Sequence, residues 1–312
     1  MSQSPQIKES DVPVVNSQFT DMPDVDLDSL PEAREGATSS SDGTAKVATE
    51  PRKTSLATNA VKGAAAFSKS IAILQMIADS EQPPSISMLV RQSNLPRPTL
   101  HRLLKALAAE DMVELRPNKT YAVGARTLQL AGRALAQNDL AKIAAPEMSL
   151  LSAQTQETVH LAIRSSNDLV YIYKKDTPHA VRIASTVGAR VPCHASAVGK
   201  CLIAFLSEEE RIRVVDSMDM RRLTDFTITD RNDLLAEFEK IRKHGYATSH
   251  QESDLEIQCF ATCIFDRNGQ PAAGVSISVP IYRLKTNRDE YLKPLLECRD
   301  RIMQKLGCAH IK

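Results

Sequence analysis

One stretch constrains this chain more than any other. Residues 91–114 read R-Q-S-N-L-P-R-P-T-L-H-R-L-L-K-A-L-A-A-E-D-M-V-E. Leu100, Leu103, Leu104 and Leu107 fall at i, i+3, i+4 and i+7, one apolar stripe along a helix. Thr99, His101, Arg102 and Lys105 lie off that stripe, and Arg97 stands at the helix start. Pro98 suits a first helical turn, where its missing N–H has no intrahelical partner to lose. Upstream, Ile86, Leu89 and Val90 make a shorter helix with Ser85 as its cap. S-N-L-P between the two is a turn, because the residue before a proline is pushed away from helical dihedrals. Two short helices, a tight turn and a basic outer face predict a helix-turn-helix on double-stranded DNA.

The neighbouring segments extend this unit. Phe67, Ile71, Leu74 and Ile77 space a first helix, with Ser68 as a candidate cap, that ends before Pro83. M-V-E-L-R-P and T-Y-A-V are short alternating runs around a tight turn, hence a β-hairpin. A hairpin directly after a recognition helix is a wing, and it brings Asn118 and Lys119 towards a phosphate backbone. The DNA-binding domain is therefore expected over residues 63–125. A linker helix follows at 126–139, with a seam of Leu128, Ala131 and Leu135 suited to packing on a second copy. The next helix, 140–155, is expected to break or bend at Pro146.

Composition sets outer limits. With 39 lysines and arginines against 38 aspartates and glutamates, a nucleic-acid surface has to be local. No run of roughly eighteen apolar residues predicts a membrane span, and the start lacks a signal-peptide pattern. The six cysteines form neither a disulfide framework nor a zinc spacing, so a reduced, cytoplasmic protein without metal or cofactor is expected. Residues 1–62 are polar, acidic and without periodicity, and read as a disordered tail.

Residues 140–312 are expected to form a second domain. T-V-H-L-A-I, L-V-Y-I-Y-K and V-R-I-A-S-T read as strands, as do Q-C-F-A-T-C-I-F and A-A-G-V-S-I-S-V around a D-R-N-G turn. Helices are expected from Ser196, over Glu208 to Val215, after Asp230, and over 288–306. Hairpins plus separate helices predict an α+β domain on an antiparallel sheet. Chemistry is sparse there. G-K at Gly199 lacks the upstream glycine of a phosphate-binding loop, and Ser196 with Lys200 lacks the S-x-x-K spacing. Cys193 and His194 are adjacent, so on an extended chain they point to opposite faces. No catalytic residue is assigned. What remains is a helix start after His194 that can offer N–H groups to an anion, and Ser276 and Ser278 on one face of a strand.

L-P-R-P-T-L-H-R-L-L-K-A-L resembles the recognition helix of the IclR family of transcriptional regulators. E-T-V-H-L-A, V-R-I-A-S-T-V-G-A-R-V-P-C-H-A-S-A-V-G-K-C-L, G-Y-A and C-I-F-D-R-N-G-Q-P-A-A-G-V-S-I-S-V-P extend the resemblance over residues 67–306. R-A-L-A-Q-N-D-L and S-I-S-V-P resemble its sugar-acid-sensing KdgR branch. The resemblance implies a winged helix-turn-helix, a linker helix and a GAF-like effector domain. It also implies homodimers or homotetramers on palindromic operators, and a non-enzymatic regulator, most often a repressor of a catabolic operon, controlled by a small organic acid. Carried residue by residue, the effector site comprises His194, Ala197, Val198, Ser249, His250, Cys259, Ser276 and Ser278, walled by Ile183, Val191 and Ile257. Two departures stand out. Ser249 and His250 replace the acidic residues usual after G-Y, and Glu256 replaces a common glycine. An inward His250 would favour an effector with a second carboxylate. The competing readings are an oligomeric DNA binder without a ligand, and an enzyme with a DNA-binding appendage.

Overall fold

The computed structural model describes residues 64–308, and the expected tail at 1–62 lies outside them. The described chain forms two compact units that divide between Ala141 and Lys142.

The first unit opens with α1 (Ala65–Ala78), α2 (Ile86–Ser93) and α3 (Arg97–Ala109). Ser68 does not cap α1, because its N–H already bonds to the Ala64 carbonyl at 2.9 Å. The alanine run at 64–66 favours helix and carries the turn upstream of the serine. Ser85 does cap α2, its hydroxyl accepting from the Met88 N–H, and Asn94 ends that helix at φ 54°. The leucine stripe of α3 is buried and meets Ile73, Ile77, Leu89, Val113 and Tyr121 in one core. The wing is β1 (Val113–Leu115) paired antiparallel with β2 (Tyr121–Val123). Asn118 Oδ1 closes the turn by accepting from both the N–H and the hydroxyl of Thr120. Gly124 follows where a Cβ would stand 2.1 Å from the Asp111 carbonyl oxygen, so no other residue fits. The unit continues into α4 (Ala125–Ala136), which buries no residue at all.

The second unit is built on a six-stranded sheet of order β5-β4-β3-β8-β7-β6, every pair antiparallel. Its strands are β3 (Thr158–Ser165), β4 (Asp168–Lys175), β5 (Arg190–Pro192), β6 (Ala247–His250), β7 (Ile257–Phe265) and β8 (Pro271–Pro280). Around it lie α5 (Asp139–Thr155), α6 (Ala197–Ala204), α7 (Glu208–Asp216), α8 (Arg231–His244) and α9 (Asp289–Lys305). Pro146 does not break α5. The helix continues through it because Ala144, Met148 and Leu151 on either side are fully buried, and tertiary packing outweighs one lost bond. Phe260 stacks on Tyr291 of α9 at 5.1 Å, which places α9 on the face of β7 opposite to Cys259.

Two strand expectations change. V-R-I-A-S-T forms no strand, although Ile183 and Ser185 are buried between exposed neighbours as an alternating strand would have them. Its carbonyls are satisfied by a side chain instead: Lys174 Nζ donates to the oxygens of Ile183 and Ser185 at 3.0 and 2.7 Å. The sheet is completed by β5 and by β6, a four-residue edge strand whose polar T-S-H carries no apolar run.

Candidate functional site

The first unit presents an outward, uncompensated set of cations. Arg97, His101, Arg102, Lys105, Asn118 and Lys119 are exposed, and Thr99 is half-buried. A groove of about 560 Å³ runs between the start of α3 and the wing, with Arg97, Pro98, His101, Leu115 and Lys119 on its walls. Arg102, Thr99 and Lys105 stand on α3 outside it. Among the described residues none of Arg97, Arg102, Lys105 and Lys119 has an ion-pair partner, whereas Arg126 at the start of α4 is held by Glu110. Asn118 differs from the others, since its carbonyl oxygen is consumed by the wing turn.

The second unit holds a narrow cavity of about 30 Å³ between the sheet and the start of α6. Eight of the expected effector residues line it: Ile183, Val191, Ala197, Val198, Ile257, Cys259, Ser276 and Ser278. The strand pairs Cys259↔Ser278 and Ala261↔Ser276 put these side chains on one face, beneath α6. Ser196 caps α6 by accepting from the Gly199 N–H at 3.0 Å. The N–H groups of Ala197 and Val198, first in the helix, are left without an acceptor among the described residues. Ser276 is 3% exposed, and its hydroxyl likewise has no partner there.

Three expected residues fall outside this wall. His194 is fully buried in a short 3₁₀ turn, where its Nε2 meets the Arg221 carbonyl at 3.0 Å. Ser249 shares a sheet face with Cys259 but lies one strand further out, and its hydroxyl donates to the Ala195 carbonyl. His250 points to the other face by strand alternation. It is exposed, its Nδ1 sits 2.6 Å from Gln258 Oε1, and its ring meets Phe226 edge-on. A cationic His250 inside the pocket is thereby ruled out.

The wall also contains His160, Leu169, Tyr171, Ser196 and Ser253, which sequence reasoning missed. A β-bulge explains two of them. Register runs Leu161↔Tyr173 and then Ala162↔Tyr171, so Ile172 is an extra residue. From there Tyr171 and Leu169 share the face of His160, whereas unbroken alternation would turn them away. The rings of His160 and Tyr171 stack at 4.4 Å and 26°. His160 bridges two hydroxyls, with Nε2 2.7 Å from Ser185 Oγ and Nδ1 3.4 Å from Ser278 Oγ. Burial, with Lys174 nearby, lowers its pKa to about 3, so the ring is neutral at pH 7. Burial raises the Cys259 thiol to about 11 and pushes Tyr171 up as well, so neither ionises. No lining side chain carries a formal charge.

Charges stand close behind. Lys200 is 1% exposed and meets Glu252 at 2.6 Å and Glu237 at 3.3 Å. Glu252 Oε2 and Asp254 Oδ2 are buried without a partner among the described residues. Burial raises the Glu252 carboxyl, opposed by Lys200. Cys193 has its thiol raised to about 12 by burial, and its neighbour His194 bonds elsewhere, so the two do not make a thiolate pair.

Comparison with known proteins covers both units. Residues 66–117 match the IclR helix-turn-helix domain, and residues 132–304 match the C-terminal domain of bacterial IclR transcriptional regulators. The chain is 35% identical over 230 residues to the HTH-type transcriptional repressor AllR of Salmonella typhi, covering 73% of this chain and 85% of that protein. It is 31% identical over 241 residues to the HTH-type transcriptional regulator KdgR of Dickeya chrysanthemi, covering 77% and 79%. Among solved structures, the Thermotoga maritima IclR superposes with a TM-score of 0.62 at 30% identity, over 77% of this chain and 98% of that one. These relatives are transcriptional regulators, and no catalytic family is indicated. With its helix-turn-helix followed by the family's C-terminal domain, the chain belongs to the IclR family of DNA-binding transcriptional regulators.

Proposed function

We propose that the protein is a repressor whose hold on operator DNA is set by a small organic acid in the cavity beneath α6. The observation that carries this is the set of unused donors there: the N–H groups of Ala197 and Val198 and the hydroxyl of Ser276, a buried residue whose oxygen opens on the cavity. Buried donors without acceptors are costly, and an anion at a helix start satisfies them. The apolar wall of Leu169, Ile183, Val191 and Ile257 suits a short carbon skeleton. The names of AllR and KdgR, a repressor and a regulator, support the direction of control.

On the DNA side, Arg102 reads a base edge, with Arg97, Lys105 and Lys119 on phosphates and His101, Thr99 and Asn118 beside them. The boundaries 63–125, 126–139 and 140–312 are the working division into DNA-binding, linker and effector parts. Leu128, Ala131 and Leu135 of α4 are exposed. Covering them in a homodimer or homotetramer removes an apolar strip from water and gives two-fold half-sites. Light scattering at micromolar concentration is expected to return a multiple of the chain mass.

The test of the effector reading is calorimetry of the full chain with a panel of small carboxylates, followed by operator titration with any that bind. Ser276→Ala is expected to weaken binding by roughly tenfold or more, the loss of one hydrogen bond to a charged group. Equal affinity in wild type and variant would remove the pocket assignment. A panel that neither binds nor shifts DNA affinity would favour an oligomeric DNA binder without a ligand.

A further inference from the structure

The cavity wall specifies more than a class of ligand. Resting on the reading of this cavity as an effector pocket, we infer that it is a monoanion site. It takes a compact carboxylate with one negative charge and an uncharged oxygen at its far end, Tyr171 reads that oxygen, and dicarboxylates are rejected.

Charge decides first. A single carboxylate finds the positive end of α6, the Ala197 and Val198 N–H groups and the Ser276 hydroxyl. A helix start offers about half a unit charge, enough for one anionic group and not two. Nothing on the wall compensates a second. His160 has both ring nitrogens within reach of serine hydroxyls, and His250 faces away. Lys200, buried behind the wall, is already shared by Glu252 and Glu237, Lys174 beside His160 is taken by Asp176 and the Ile183 and Ser185 carbonyls, and Asp254 adds a further carboxylate. Ser253, between Glu252 and Asp254, is itself on the wall. A second carboxylate would therefore be buried beside an excess of like charge, which is the costliest way to desolvate an ion.

Tyr171 supplies the other half. Its ring is fixed by the stack on His160, and its hydroxyl has no hydrogen-bond partner among the described residues. A neutral phenol in that position donates to a hydroxyl, keto or ether oxygen. Size acts in the same direction. About 30 Å³ is little more than the space of a water molecule, so only a compact ligand enters without large displacement.

The experiment is calorimetry on the full chain with matched probes that differ in one group. The pairs are 3-hydroxypropionate and malonate, glycerate and tartronate, and 4-hydroxybenzoate and terephthalate, with propionate and benzoate lacking the far oxygen. At least one hydroxy acid is expected to bind, and its diacid partner to bind at least about tenfold more weakly. Tyr171→Phe, which keeps the stacked ring, is expected to cost that hydroxy acid about fivefold or more and its deoxy analogue nothing. A diacid as tight as its partner, or a Tyr171→Phe variant that binds the hydroxy acid as wild type does, overturns the inference and leaves the pocket standing. Binding indifferent to Ser276→Ala, or no acid bound at all, removes the pocket reading and this inference with it.

Discussion

The recognition face and the cavity beneath α6 both offer donors for anions, and they do so in opposite ways. On the first, Arg97, Arg102, Lys105 and Lys119 are exposed and, among the described residues, unpaired, so they can meet a polyanion one phosphate at a time. In the second, the full charges are withdrawn behind the wall and only dipoles face the cavity. Exposed cations give affinity that salt erodes, because each phosphate contact releases counterions. Fixed dipoles in a dry pocket are screened far less and discriminate by charge number and shape. On the proposed function, one chain thus separates strength on DNA from selectivity for a small molecule.

The sharpest break of this contrast is at Lys200. Lys200→Met leaves Glu252 and Glu237 facing each other in a buried site, and is expected to cost about 3–5 kcal/mol of stability, read by chemical unfolding. Lys105→Met, an exposed cation on the other surface, is expected to leave stability within about 0.5 kcal/mol. Equal effects would mean that the buried charges are not a connected set.

The next effect is on pH. His160 is neutral in the folded chain with a pKa near 3, against about 6.5 when unfolded. Between those values the unfolded chain binds a proton that the folded chain refuses, so stability falls as pH drops from 6.5 towards 3. His160→Asn is expected to flatten that slope, followed by thermal unfolding at several pH values. An unchanged slope would show that the ring finds a way to ionise in place.

Smaller effects belong to the DNA face. Arg102→Ala is expected to cost roughly 1–3 kcal/mol on operator DNA and much less on random sequence, measured by anisotropy. Lys105→Ala is expected to weaken both alike and to reduce the slope of log K against log salt by about 0.9. Matching behaviour of the two variants would deny any division between reading and anchoring.

Both surfaces are partly legible in the amino-acid sequence. The stripe of Leu100, Leu103, Leu104 and Leu107 places α3 and decides which residues face outward, because helical period is regular over that length. Ser85 is legible as a cap for the same local reason. Ser276, Ser278 and Cys259 follow strand alternation, which β7 and β8 obey there without a bulge. Tyr171 and Leu169 are not legible, since one inserted residue reverses the alternation in β4. The V-R-I-A-S-T segment misleads because burial alternates without a ladder, its carbonyls going to Lys174. Placing His250 requires the pairing of β6 with β7 at the sheet edge, a long-range fact that no window of sequence contains.

The bulge at Ile172 also bears on how relatives of this chain diverge. Losing that single residue would keep every pair of β3 with β4, so Tyr171 would still oppose Ala162, Leu169 would still oppose Arg164, and both would still face the cavity. A one-residue deletion there would thus shift the sequence by one position while the wall kept its residues. Aligning β4 letter by letter between two such chains would pair residues that never occupy equivalent space, so effector preferences are best transferred by sheet register.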